Sequence, residues 1–153
     1  MSNFGTSMKG ATLITEHAPN RSKKLVLIAS NDPNIRNSLA DVLPSTTYEV
    51  LIAKRGTDVL LKILDRDIDI LLLDIDMNGI IGVEILPVIR RLRPRLPIVL
   101  ISDDFTSQVR KIAAEQGMTY QTFKPHTGSE VRAIIKATEK IIERRELIRI
   151  AMN

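Results

Sequence analysis

The 153-residue chain contains no cysteine and no tryptophan, and only 3% of its residues are aromatic. Without cysteine there are no disulfides, no zinc–thiolate sites and no thiol nucleophile, and nothing marks a redox compartment. With so few rings, the interior is built from Ile, Leu, Val and Ala. Long apolar runs are missing too. "LVLIA" and "ILLL" fall far short of the roughly 18 residues a membrane-spanning helix needs. The opening "MSNFGTSMKGATLITEHAPNRSKK" has neither the charged start nor the long apolar centre of a secretory signal. The expectation is a cytoplasmic protein that does not engage a membrane.

The net charge is +4, and 26% of residues are charged. The basic excess gathers at Arg21, Lys23 and Lys24, in "RRLRPR" at 90–95, and near the C-terminus. No aromatics interleave with these residues and no DNA-reading motif accompanies them, so they read as solvated helix faces and not as a direct nucleic-acid contact.

What is present is a rhythm. Residues 1–23 mix Ser, Thr, Asn, Gly and Pro with little periodicity and read as a flexible arm outside the core. Thereafter come short, continuous apolar runs: "KLVLIAS" (24–30), "EVLIA" (49–53), "IDILLLD" (68–74), "PIVLIS" (97–102) and a weaker "TYQTF" (119–123). Runs of this kind suit strands covered on both faces, as in a parallel sheet. Between them lie helical patterns: "DPNIRNSLADVL", with Asp32 as cap and Pro33 at the first helical position; "TDVLLKIL" (57–64); "GVEILPVIRRL" (82–92), which Pro87 would bend; and "SQVRKIAAEQG" (107–117), with Gly117 as its stop. A last helix should begin near Ser129 and run on through "IIERRELIRI". Five strand–helix alternations with short connections predict an α/β fold: a doubly wound, five-stranded parallel sheet in a three-layer sandwich, with an extended C-terminal helix.

In that architecture ligands bind at the carboxyl ends of the strands. Those ends carry Ser30, Asn31 and Asp32; Asp74 and Asp76; Ser102 and Asp103; and Lys124 with Pro125. A carboxylate placed opposite a lysine at such a rim suits nucleophilic attack on phosphorus, which needs an exposed, in-line anion relieved of charge repulsion by a cation.

The succession "LLLDIDMNGIIGVEIL", "PIVLIS", "FKP" resembles the receiver domain of two-component response regulators, the CheY-like fold, over roughly residues 24–142. By that resemblance Asp74 corresponds to the phosphoacceptor, Ser102 to the switch hydroxyl and Lys124 to the lysine that neutralises the phosphoryl group. Gly79 and Gly82 correspond to the glycines of the loop after the acceptor strand. Lys124-Pro125 corresponds to a pair whose peptide bond is usually cis in the family.

Departures from the pattern surround the same pocket. Ser30 and Asn31 stand where the family places the acidic pair that, with the acceptor, holds Mg²⁺, so a weakened ion site is expected on Asp74, Asn31 and Asp76, with Asp32 as a further candidate. Asp103 follows Ser102 where a small residue is usual, Gln121 replaces the aromatic that swings inward on activation, and Asn78 and Ile81 replace the commoner Pro and Asp of the loop. His17 and His126 lack ligand-like spacing.

Two functions stay open at this point. One is a non-enzymatic signalling receiver, phosphorylated on Asp74 by a sensor histidine kinase or phosphotransfer protein, that regulates a downstream partner or an output domain not included in this chain. The other is a pseudo-receiver that serves as a phosphorylation-independent interaction or dimerisation module. A nucleotide-binding enzyme would want a glycine-rich turn after the first strand, and "SNDPNIR" has no glycine. On the last helix, residues 143–153 extend beyond what the fold requires. Leu147, Ile148 and Ile150 suggest a homodimer or partner contact there, beside a basic stripe of Arg132, Lys136, Lys140 and Arg144.

Overall fold

The computed structural model describes residues 23–76, 82–103, 106–117 and 120–152. The expected N-terminal arm, apart from Lys23, and the loop with Asn78, Gly79 and Ile81 lie outside the described residues. Strands and helices alternate in chain order: β1 Lys24–Ala29, α1 Pro33–Val42, β2 Tyr48–Ala53, α2 Gly56–Asp65, β3 Ile70–Asp74, α3 Gly82–Leu92, β4 Ile98–Ile101, α4 Ser107–Glu115, β5 Tyr120–Thr122 and α5 Gly128–Ala151. All strand pairings are parallel, in the order β2-β1-β3-β4-β5.

Alternation along each strand assigns side chains to two cores. Leu25, Leu27, Leu71, Leu73, Ile98 and Leu100 face α2, α3 and α4, meeting Val59, Ile63, Leu86 and Ile89. Val26, Ile28, Ile70, Leu72, Val99 and Ile101 face α1 and α5, meeting Ile35, Leu39, Val131, Ile134 and Ile135. Burial on both sides explains why the central strands read as unbroken apolar runs. Burying each large aliphatic side chain contributes roughly 1.5–3 kcal/mol.

Helix starts follow local chemistry. Asp32 caps α1 by accepting from the Asn34 N–H at 2.9 Å, with Pro33 just inside. Thr106 caps α4 through the Val109 N–H at 3.2 Å. At α5 the Glu130 N–H donates to Thr127 Oγ1 at 3.1 Å, while Glu130 Oε1 accepts from the Thr127 and His126 N–H groups at 3.1 and 2.8 Å. The bond from the His126 N–H, followed by those from Thr127, holds the Glu130 carboxyl below the usual carboxylate range. Thr127→Ala should lower stability by about 1 kcal/mol in urea unfolding with an unchanged slope, because the Glu130 N–H in the first turn loses its side-chain acceptor.

Gly117 does end α4, with φ +64°. Pro87 lies beyond the first turn of α3, and the helix runs through it despite the hydrogen bond its ring removes.

Candidate functional site

The strand order reverses direction between β1 and β3, and the crevice of a doubly wound sheet opens at the carboxyl ends of such a pair. Ser30 follows β1 and Asp74 ends β3, so both stand at this switch point. Asp74 is 1% exposed, which corrects the expectation of a solvent-open carboxylate, because Ser30, itself fully buried, packs against it. The Ser30 hydroxyl donates to Asp74 Oδ2 at 2.8 Å and accepts from the Asp32 N–H at 3.0 Å. The Asp76 N–H donates to Asp74 Oδ1 at 3.0 Å. Arg36 fixes the end of β1 from outside, donating to the Ser30 carbonyl at 3.0 Å.

Lys124 reaches the same rim from the segment after β5. Its Nζ lies 3.7 Å from Asp74 Oδ1 and 3.0 Å from Asp76 Oδ2. Fifty positions apart in sequence, Asp74 and Lys124 thus share one cleft. Burial alone would depress the lysine pKa, but the hydrogen bond to Asp76 and the charges of Asp74, Asp76 and Asp103 outweigh it and hold the ammonium above its ordinary value. Asp76 is half exposed and pairs more closely with Lys124 than Asp74 does. Neither its sequence position nor its neighbours signalled that role.

Ser102 is fully buried just past β4, its N–H bonded to the Thr122 carbonyl at 3.1 Å, which ties the ends of β4 and β5 together. Asp103 is exposed, with Oδ1 3.7 Å from His126 Nε2. Asp32 is engaged as the α1 cap. Asn31 is partly buried in the turn between Ser30 and Asp32.

One feature implied by the family pattern is corrected. No cis peptide bond occurs among the described residues, so Lys124–Pro125 is trans. Trans is the lower-energy form of an X–Pro bond by about 0.5–1 kcal/mol, and Lys124 reaches both carboxylates from it.

The arrangement comprises a buried carboxylate, a cation beside it and hydroxyls at the flanking strand ends. Among the described residues no three His, Cys, Asp or Glu side chains are grouped to hold a metal ion.

Comparison with known proteins places this geometry. Residues 26–136 match the response regulator receiver domain family. Among curated relatives, the sensor histidine kinase RcsC of Salmonella typhimurium is 30% identical over 110 residues, 72% of this chain and 12% of RcsC. The nitrogen assimilation regulatory protein NtrX of Azorhizobium caulinodans is 28% identical over 125 residues, 80% of this chain and 28% of NtrX. The chain therefore spans well under a third of either relative. A CheY-like receiver domain structure from Methanospirillum hungatei superposes with TM-score 0.71 at 25% identity, covering 81% of this chain and 99% of that one. With the family matched across most of its length and the parallel five-stranded fold shared, the chain belongs to the response regulator receiver domains of two-component signalling.

Proposed function

We propose that residues 24–142 act as a phosphoryl switch in which Asp74 accepts a phosphoryl group from a phosphohistidine on a sensor histidine kinase or phosphotransfer protein. One Asp74 oxygen bonds to phosphorus while the phosphorus–nitrogen bond breaks, its electron pair returning to the imidazole nitrogen. Lys124 offsets the charge that arrives, and the Ser102 hydroxyl donates to a phosphoryl oxygen. The changed surface around β4 and β5 then alters affinity for a downstream partner or output domain. The observation that carries this reading is the Lys124 ammonium 3.7 Å from Asp74 Oδ1 at the switch point. Receiver domains are signalling modules that work with histidine kinases and output domains.

Receiver domains typically hold a divalent ion beside the acceptor. The donors here do not fit a tightly bound Mg²⁺. Ser30 is neutral and already donates to Asp74, Asn31 is neutral, Asp32 caps α1, and Asp76 is paired with Lys124. Lys124 and the hydroxyls are left to balance the charge.

A second reading, a phosphorylation-independent docking module, draws on the Ser30–Asp74 bond, which occupies one acceptor oxygen inside a buried pocket. Incubation with acetyl phosphate, followed by intact-mass measurement, separates the two. The first reading expects an adduct of one phosphoryl group, absent from Asp74→Asn, forming with little dependence on Mg²⁺. No adduct on the parent at any Mg²⁺ concentration, with one appearing on the chain carrying Ser30→Asp and Asn31→Asp, would establish the second.

A further inference from the structure

At the end of the sheet opposite Asp74, a groove of about 870 Å³ runs between the C-terminal half of α5 and the amino ends of β4 and β5. Its apolar surface comes from Pro97, Tyr120, Ile141, Ile148 and Met152. Tyr120, Ile148 and Met152 are 39%, 53% and 74% exposed, so the groove presents bare apolar surface to solvent. Arg95, Lys140, Arg144, Arg145 and Arg149 also line it, and no acidic residue does. Arg145 is held by Asp69 and Arg149 by Glu146, whereas Arg95, Lys140 and Arg144 have no ion-pair partner among the described residues.

An apolar floor walled by uncompensated cations is complementary to an anionic amphipath. From Ala137 to Met152 the α5 wall spans 16 residues, about 24 Å at 1.5 Å per residue, room for roughly four turns of a second helix. Ile141, Ile148 and Met152 recur at helical spacing along it, the pattern that receives a helix in a groove. The chain's own first 22 residues are poorly suited, since they hold one acid, Glu16, against Lys9 and Arg21. A second copy offering the same face would set cation against cation.

We infer that this groove docks an acidic amphipathic helix from a partner protein, at a site separate from the phosphorylation cleft. Lys140 and Arg144 engage its carboxylates, and Tyr120, Ile141 and Ile148 its apolar face.

The probe is a fluorescein-labelled peptide of four helical turns, with leucine at every third or fourth position and glutamate at most others. Anisotropy titration of the full chain, with amide NMR to locate the contact, should give saturable binding and shifts clustered on Tyr120, Ile141 and Ile148. Lys140→Glu with Arg144→Glu should weaken binding at least tenfold, and so should Ile148→Ser. All three positions are exposed, so folding is preserved, and circular dichroism checks this. A peptide with serine for leucine, or with lysine for glutamate, should bind at least tenfold more weakly. The inference is overturned if the serine peptide binds as well as the leucine peptide, if a short DNA duplex displaces the probe from the same residues at equal concentration, or if sedimentation shows a dimer that closes the groove.

Discussion

Replacing Ser30 and Asn31 together by aspartate should tighten Mg²⁺ binding on the order of a hundredfold, or about 2.7 kcal/mol, measured by isothermal titration calorimetry. The side chain of residue 30 already faces the Asp74 carboxylate, as the 2.8 Å bond from its hydroxyl to Asp74 Oδ2 shows. A carboxylate there converts a neutral donor into an anionic oxygen ligand, which a small, hard cation prefers. At an effective dielectric near 20, unit charges about 4 Å apart interact by ~4 kcal/mol, so the gain survives a large desolvation penalty. The same variant should be less stable than the parent when a chelator is present, because the new acids crowd Asp74 and Asp76 while the hydroxyl bond is lost. Added Mg²⁺ should restore the urea midpoint. Unchanged affinity would mean that positions 30 and 31 do not face the ion's place, and would undo the explanation given for the weak site.

Asp69→Ala should cost about 2–3 kcal/mol, the largest loss expected from any polar side chain outside the cleft. Asp69 is 4% exposed and stands just before β3. Its Oδ2 accepts from the Leu25 N–H at 2.7 Å, at the start of β1, and Arg145 of α5 donates to its carbonyl at 2.8 Å, with the carboxylate 3.9 Å away. One side chain thus joins β1, β3 and the C-terminal helix. Removing it strands a buried N–H and leaves Arg145 with only the carbonyl. Urea unfolding measures the loss, and hydrogen exchange should show faster opening in α5 near Arg145 than in β4. Asp69→Asn, which keeps an acceptor for Leu25, should recover part of the loss. A loss below about 0.5 kcal/mol would mean that water replaces the carboxylate at no disadvantage.

Most of the architecture was legible because both sheet faces are covered. Leu71, Leu72 and Leu73 must all be apolar, and that continuity is visible in sequence. β5 was faint because it is a three-residue edge strand with Tyr120 and Gln121 exposed, so burial imposes little pattern on it. Pairing of Asp74 with Lys124 was legible through motif order and not through any local property of either residue. Arg90 and Arg93 were read as solvated, yet Arg90 donates to the carbonyls of Gln116 at 2.7 Å and Gly117 at 3.1 Å, and Arg93 to that of Ile63 at 2.9 Å. Such tethers are invisible in sequence, since every residue offers the same backbone carbonyl. Ser30 was marked as a departure from an acid, but only the fold shows its hydroxyl bonded to Asp74.

The two borders of the sheet limit how copies of this chain can meet. At one side β5 offers three residues, about 10 Å of unpaired backbone, too little for a neighbouring strand to grip. At the other, the outward-pointing Glu49 of β2 is bonded to Arg66 at 3.1 Å, placing a charged pair beside any strand that approached. Growth by strand addition is blunted at both ends, which leaves helical surfaces as the route to association and guards the sheet against aggregation.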